Sequence, residues 1–224
     1  MSAIRVAVAD DQELFVYGLR MLIESQSDLE LAGTAHDGAE AVALVDRTRP
    51  DVVLMDIRMP ALNGIEATLR ITAGTDSQVV MLTTFQQEQA VFESLKHGAS
   101  AFVTKDVAPE VLLDTIRAVH AGDAPQSPVT GQGSLTALVR ARAEAPATVT
   151  TDARPAPQAL AALSPREREI YLLAATGLRN AQIAAATFVS EATVKSHIRS
   201  VLAKLGLYSR AQIVVHAYEH RLVS

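Results

Sequence analysis

The chain has 224 residues, with 20 Lys+Arg against 25 Asp+Glu (formal net charge −5), and 49% of its residues are hydrophobic, 20% charged and 4% aromatic. That mixture can bury a core and excludes wholesale disorder. The lack of cysteine excludes disulfides, thiolate metal centres and cysteine nucleophiles.

The longest unbroken apolar run, Ile170 to Ala175, has six residues, too few to span a bilayer. The opening stretch MSAIRVAVADD reaches two aspartates before a signal-peptide core could form. A soluble, cytoplasmic protein with no membrane partner is expected. Charge divides the chain. Residues 1–123 hold 9 Lys+Arg and 19 Asp+Glu, a balance of −10; residues 124–159 hold 3 and 2; residues 160–224 hold 8 and 4, a balance of +4. An acidic part followed by a basic part suggests a different partner for each, although offsets of this size also arise by chance.

Between residues 4 and 121 short apolar runs alternate with helical spacing. Strands are predicted at Ile4–Ala9, Leu29–Ala35, Val52–Met55, Val79–Leu82 and Ala101–Val103. Helical spacing is carried by Leu14, Gly18, Leu19, Leu22 and Ile23, by Ala41, Leu44 and Val45, and by Val91, Phe92 and Leu95. Five such alternations imply a parallel sheet with helices on both faces. Runs such as VVLM and VVML, apolar throughout, suit strands buried on both sides.

Ligands in such folds sit beyond the carboxyl ends of the strands. There the sequence places Asp10 and Asp11, Asp56, Thr83 and Lys105. Crowded carboxylates repel unless a cation lies among them. Oxygen donors without soft ligands favour a hard ion, Mg²⁺. Asp56 is then a candidate nucleophile toward a phosphoryl group, with Mg²⁺ and Lys105 neutralising its oxygens and Thr83 donating a hydrogen bond. Loop aspartates also cap helices, as Asp11 could before a helix over Gln12–Gln26. Capping accounts for any one of these residues but not for all five at strand ends.

Residues 124–159, rich in Pro, Ala, Thr and Gly, read as a linker. It holds a possible short helix over Ser134–Ala145 and an extended tail with Pro146, Pro155 and Pro157.

Residues 160–224 show helix signals only. Ser164-Pro165-Arg166-Glu167 and Ser209-Arg210-Ala211-Gln212 are capping boxes. Ser190 precedes Val194, Ile198, Val201, Leu202 and Leu205, one apolar stripe of a helix over Glu191–Leu205. A short alanine-rich helix at Ala181–Ala186 and a turn at Thr187–Val189 complete a helix-turn-helix candidate. Lys195, Ser196, Arg199 and Ser200 are expected opposite the stripe, a basic, small-residue face suited to base edges. Ser190 and Thr193 offer donors to a phosphate at the helix start. A solvated helix face carries Lys and Arg as well.

The pieces VAVADDQE, VVLMDIRMPALNG, VVMLTTF and GASAFVTKD resemble a response-regulator receiver domain, a flavodoxin-like (βα)5 fold. The resemblance implies Asp56 as phosphoacceptor, Asp11 as direct Mg²⁺ ligand, Asp10 as ligand through water, and the Arg58 backbone carbonyl as a further ligand. It implies Thr83 and Lys105 as switch hydroxyl and lysine, and Phe102 as a switch aromatic that turns inward on phosphorylation. SEATVKSHI, KLGL and SRAQ resemble the LuxR-type helix-turn-helix domain of NarL/FixJ regulators. That implies a four-helix all-α unit whose third helix enters the major groove and whose last helix pairs with a second copy.

Three departures carry consequences for stability and DNA affinity. Arg179 stands where Ser or Thr usually caps the second helix, weakening that cap by about 0.5–2 kcal/mol unless Asn180 takes over or Arg179 meets phosphate. Thr187 and Tyr171 replace expected leucines. Phe85 is expected to shield an acyl phosphate from water.

The reading is therefore a two-domain transcriptional regulator: receiver 1–123, linker 124–159 and DNA-binding domain 160–224. Its partners are a sensor histidine kinase, promoter DNA and, on phosphorylation, a second copy through residues Gln87–His97 and Pro109–Ala121. The acidic receiver could screen the basic helix at rest. Two rivals stand beside it. A phosphatase of the haloacid-dehalogenase kind needs an acid two residues past Asp56, where Arg58 stands. A degenerate receiver would lack the five-residue set. No enzymatic turnover beyond the chain's own phosphoryl chemistry is expected.

Overall fold

The computed structural model describes residues 3–84, 88–123 and 160–223. The helix expected over Ser134–Ala145 and the residue Phe85 lie outside these. No helix among the described residues is long and apolar enough to cross a membrane.

The five strands form where apolar runs predict them: β1 Ile4–Ala9, β2 Leu29–Ala35, β3 Val52–Asp56, β4 Gln78–Thr83 and β5 Ala101–Thr104. All pairings are parallel, in the order β2-β1-β3-β4-β5. Alternate side chains go to opposite faces. Val6, Val8, Leu54, Val80, Leu82 and Val103 meet α1 (Glu13–Glu24) and α5 (Pro109–His120). Ala7, Ala9, Val53, Met55, Val79 and Met81 meet α2 (Gly38–Thr48), α3 (Gly64–Gly74) and α4 (Glu88–Lys96). The inner strands β3 and β4 are covered on both sides, which is why VVLM and VVML show no polar alternation, whereas the edge strand β2 leaves Glu30 and Thr34 exposed.

The chain leaves β1 in one direction to β2 and returns to β3 on its other side, so the strand order reverses between β1 and β3. Ala9 pairs with Met55 there, which brings Asp10 and Asp56 next in line on neighbouring strands.

Residues 160–223 form four helices: α6 Pro165–Ala175, α7 Asn180–Thr187, α8 Glu191–Leu205 and α9 Arg210–Glu219. Their core gathers Ile170, Tyr171, Ile183, Val194, Ile198, Val201 and Ile213. Both expected capping boxes form, at Ser164 with Glu167 and at Ser209 with Gln212. Ser190 caps α8, and Gly206 ends it with φ 67°, a conformation that suits glycine.

The two units touch. Ala211, Val214 and Val215 of α9 join the cluster of Val91, Phe92 and Leu95 of α4. Ser209 Oγ donates to the Ala99 carbonyl at 2.9 Å and Gln212 Nε2 to the Lys96 carbonyl at 2.7 Å. Lys96 Nζ pairs with Glu219 at 2.8 Å. The residues that cap α9 thus also tie it to the receiver-like unit.

Candidate functional site: a carboxylate pocket and a basic helix face

The pocket assembles where the strand order reverses. Carboxylate oxygens of Asp10, Asp11 and Asp56 all lie within 4.8 Å of one another. Asp10 and Asp56 are buried and Asp11 is exposed. Lys105, one residue beyond β5, reaches across and pairs with Asp10 Oδ2 at 2.7 Å and Asp56 Oδ1 at 2.9 Å. Its ammonium also lies 5.0 Å from the centroid of the Phe15 ring, a favourable cation–π placement.

Backbone groups hold the carboxylates. Asp10 Oδ1 accepts the Gln12 N–H at 3.0 Å and Asp56 Oδ2 accepts the Arg58 N–H at 3.0 Å. This corrects the capping alternative for Asp11: α1 begins after Gln12 without a side-chain cap, and Asp10 takes the nearby N–H instead. Gly64 sits so close to β3 that a Cβ there would lie 1.9 Å from the Asp56 carbonyl oxygen. The glycine of the PALNG stretch therefore lets α3 start directly beneath Asp56.

The electrostatics follow from crowding. Burial pushes the Asp56 carboxyl above its ordinary value, with the Asp10 charge adding to the effect and the Lys105 hydrogen bond opposing it. Burial alone would lower the Lys105 ammonium, but its two carboxylate partners outweigh that and raise it. Lys105 stays charged. Three carboxyl groups gathered around a single ammonium make a donor set of oxygens that suits a hard divalent cation such as Mg²⁺.

Thr83 and Phe102 flank this set rather than joining it. Thr83 is buried, and its hydroxyl donates to the Thr84 carbonyl at 3.1 Å. Phe102 already points inward, 6% exposed, in the cluster that holds α4 and the α9 side chains. The expected inward turn therefore has no outward starting point in this form, because α4 and α9 already pack around the ring's cluster.

The basic face stands open. Lys195, Ser196 and Arg199 are exposed on α8, opposite buried Val194, Ile198 and Val201. Ser190 Oγ accepts the Thr193 N–H at 3.1 Å and lies 2.8 Å from Thr193 Oγ1. One of those two hydroxyl protons is spent in the pair and the other remains for a ligand. The receiver-like unit does not cover this face, whose Lys195, Ser196 and Arg199 are exposed.

Two expectations nearby, for Ser200 and Asn180, are corrected, while the weakened cap at Arg179 is found as expected. Ser200 does not share the open face; its hydroxyl donates to Glu167 at 2.6 Å, because its place on α8 turns it toward α6. Arg179 offers no acceptor and gives α7 no side-chain cap, although the Gln182 carboxamide accepts its N–H at 2.9 Å. Asn180 does not take over the cap. Fully buried, it donates its backbone N–H to Asp123 and its amide to the Gly122 carbonyl, and it accepts from Arg210.

Both unusual core residues are satisfied. The Thr187 hydroxyl donates to the Ile183 carbonyl, and the Tyr171 hydroxyl lies 2.7 Å from His216 Nδ1. Sequence reasoning missed the partner of Tyr171 and the role of Glu167. Glu167 is ligated by Lys204 Nζ at 2.7 and 2.9 Å, by Ser200 and by the Ser164 N–H. Lys204 and Ser200, four residues apart on α8, were the available signal.

Comparison with known proteins agrees with this geometry. Residues 6–117 match the response regulator receiver domain, and residues 161–217 match the luxR family of bacterial regulatory proteins. Over 221 residues, 98% of the chain and 97% of the relative, it is 40% identical to the Bacillus subtilis transcriptional regulatory protein YxjL, itself described as uncharacterized. It is 31% identical to the response regulator protein VraR of Staphylococcus aureus, over 98% of the chain and 99% of VraR. Among solved structures it resembles the response regulator ChrA of a heme-sensing two-component system, with 30% identity, full coverage of both chains and a TM-score of 0.50. The chain belongs to the two-component response regulators that join a receiver domain to a LuxR-type DNA-binding domain and regulate transcription.

Proposed function

We propose that Asp56 accepts a phosphoryl group from a sensor histidine kinase, and that this marking changes how the chain engages promoter DNA. The ion pair from Lys105 to both Asp10 and Asp56 carries this reading. It keeps a buried carboxylate oriented, with a fixed positive charge ready for the incoming oxygens. An Asp56 oxygen attacks phosphorus as the bond to the donor nitrogen breaks, and the Lys105 ammonium meets the negative charge on the transferred oxygens. Asp10, Asp11, Asp56 and the Arg58 carbonyl are the groups to hold Mg²⁺. When bound, the ion supplies neutralisation of phosphoryl charge. The Thr83 hydroxyl exchanges its Thr84 partner for a phosphoryl oxygen.

Such a movement at β4 is read by α4, which follows it directly and is packed against α9. The α4 part of the expected pairing surface is thus occupied by α9 of the same chain. Pairing of two copies through that surface requires α9 to leave it, so phosphorylation favours a form that exchanges an internal contact for a homodimer. Two copies of α8 then reach neighbouring half-sites. Residues 1–123 form the receiver and 160–224 the DNA-binding domain, joined by 124–159, and the chain works in the cytoplasm. It turns over no substrate beyond its own phosphoaspartate. The phosphatase alternative lacks an acid, since the residue two past Asp56 is Arg58.

Incubation with a small phosphodonor and Mg²⁺ tests the reading by mass. Wild type gains one phosphoryl group and Asp56→Asn gains none. Release of phosphate from esters with turnover would support the phosphatase instead, and a labelled Asp56→Asn would end the proposal.

A further inference from the structure

Phe188 sits in the turn between α7 and α8, and two of its features run against folding and solubility. Its side chain is 95% exposed, above any other exposed large hydrophobic among the described residues. Its backbone lies in the left-handed region, φ 56° and ψ 41°, where it closes α7 by donating its N–H to the Ala184 carbonyl. Glycine or asparagine meets that conformation at less steric cost, and a bulky side chain there is an outlier. A residue suited only to the turn would be one of those two, and a residue suited only to water would be polar.

The surroundings indicate what the ring meets. Two residues later Ser190 caps α8, and the open residues Lys195, Ser196 and Arg199 follow on the same helix. Residues 160–224 carry the chain's positive balance, 8 Lys+Arg against 4 Asp+Glu. The ring stays in water even with the receiver docked on α9, so neither unit of this chain covers it. A polyanion fits the cations, and in the major groove of DNA the apolar feature open to a ring is the thymine methyl group.

We infer that Phe188 is a DNA-contacting residue whose ring packs on a thymine methyl group at the groove edge beside the bases faced by Lys195 and Arg199. The inference rests on the assignment of α8 to the major groove. An apolar contact of this kind selects a base without displacing counterions, so it adds affinity with no change in salt dependence. That property separates it from a contact to phosphate.

The test uses the full chain and a duplex selected by wild type from a random pool. Phe188→Asn suits the left-handed turn and removes the ring. It should bind that duplex about tenfold more weakly, with an unchanged slope against salt and a thermal midpoint at or above that of wild type, since asparagine suits the left-handed turn. Replacing thymines by uracil one at a time should reveal a position where wild type loses several-fold affinity and Phe188→Asn loses none. Phe188→Leu should keep most of the affinity.

Binding of Phe188→Asn within about twofold of wild type, alongside a weakened Arg199→Ala, overturns the inference and leaves the groove assignment standing. If Arg199→Ala also binds like wild type, the assignment of α8 itself fails. A salt slope lower by about one, or altered self-association without DNA, assigns the ring to phosphate geometry or to a second copy and likewise overturns it. Should Phe188→Asn not fold, the uracil series on wild type decides alone, and no sensitive thymine means no methyl contact.

Discussion

The carboxylate pocket and the α8 face both gather charge, but in opposite surroundings. In the pocket Asp10 and Asp56 are buried and Lys105 nearly so, with ion pairs of 2.7 and 2.9 Å. On α8, Lys195 and Arg199 are exposed. Buried charges interact strongly, tolerate little displacement and suit chemistry on a small group. Exposed charges are screened by salt and stay mobile, which suits a long polyanion met in many registers. The same residue types thus serve two tasks according to how much water surrounds them.

The contrast can be broken most severely at Gly64. Gly64→Ala sets a methyl group against the Asp56 carbonyl, with no flexible side chain to yield. A loss of about 3 kcal/mol in receiver stability is expected, read by urea denaturation, while an alanine on the open α8 face such as Ser196→Ala stays within about 0.5 kcal/mol of wild type.

Next in size is the joint between the units. Val214 belongs to the cluster shared with α4 and not to the helical domain's own core. Val214→Asp places a carboxylate in that apolar joint, an expected cost of about 1–3 kcal/mol to docking. Small-angle scattering should report a larger radius of gyration, with phosphoryl uptake at Asp56 retained. An unchanged radius would mean that α9 is not held by this contact.

Asp56→Asn sharpens the comparison in the opposite direction. The Asp56 carboxyl titrates above its ordinary value of 3.8, so its ionisation opposes folding, a penalty that grows as the pH rises from that value through the folded pKa and is complete above it. Asparagine removes that charge and should stabilise the receiver by about 0.5–2 kcal/mol at neutral pH. The gain should shrink at pH values low enough to protonate the wild-type carboxyl.

The smallest effects concern acid and the helical domain. Hydrogen bonds from Lys204, then Ser200 and the Ser164 N–H, lower Glu167 from 4.5 to about 2. Burial, with His220 adding and Glu219 opposing, lowers His216 from 6.5 to about 4. Both groups bind a proton more readily when unfolded, so both make stability fall as the pH falls. His216 acts between 6.5 and about 4, and Glu167 between 4.5 and about 2. Denaturation midpoints measured from pH 7 to pH 3 should flatten in the upper window for His216→Gln and in the lower for Glu167→Gln.

Particular residues explain what was legible in advance. VVLM and VVML disclosed buried strands because both of their faces are covered, and the pocket residues were legible because each ends a strand or lies within two residues of a strand end. Ser164 and Ser209 disclosed helix starts, since a cap needs only residues within one turn. Asn180 was misjudged as a local cap because its partners, Asp123, Gly122 and Arg210, are remote in sequence. Ser200 was misplaced for the same reason, its partner Glu167 being 33 residues away.

Local patterns by themselves determined the two folds, the strand-end carboxylates, the lysine facing them and the basic helix after Ser190, because hydrophobic periodicity and capping act over a few residues. Only the tertiary structure decided that α9 docks on α4, that Phe102 begins inward, that Tyr171 finds His216 and that Phe188 is left in water. Those outcomes depend on which surfaces meet after the chain has folded back on itself, and contacts between distant segments leave no period in the sequence.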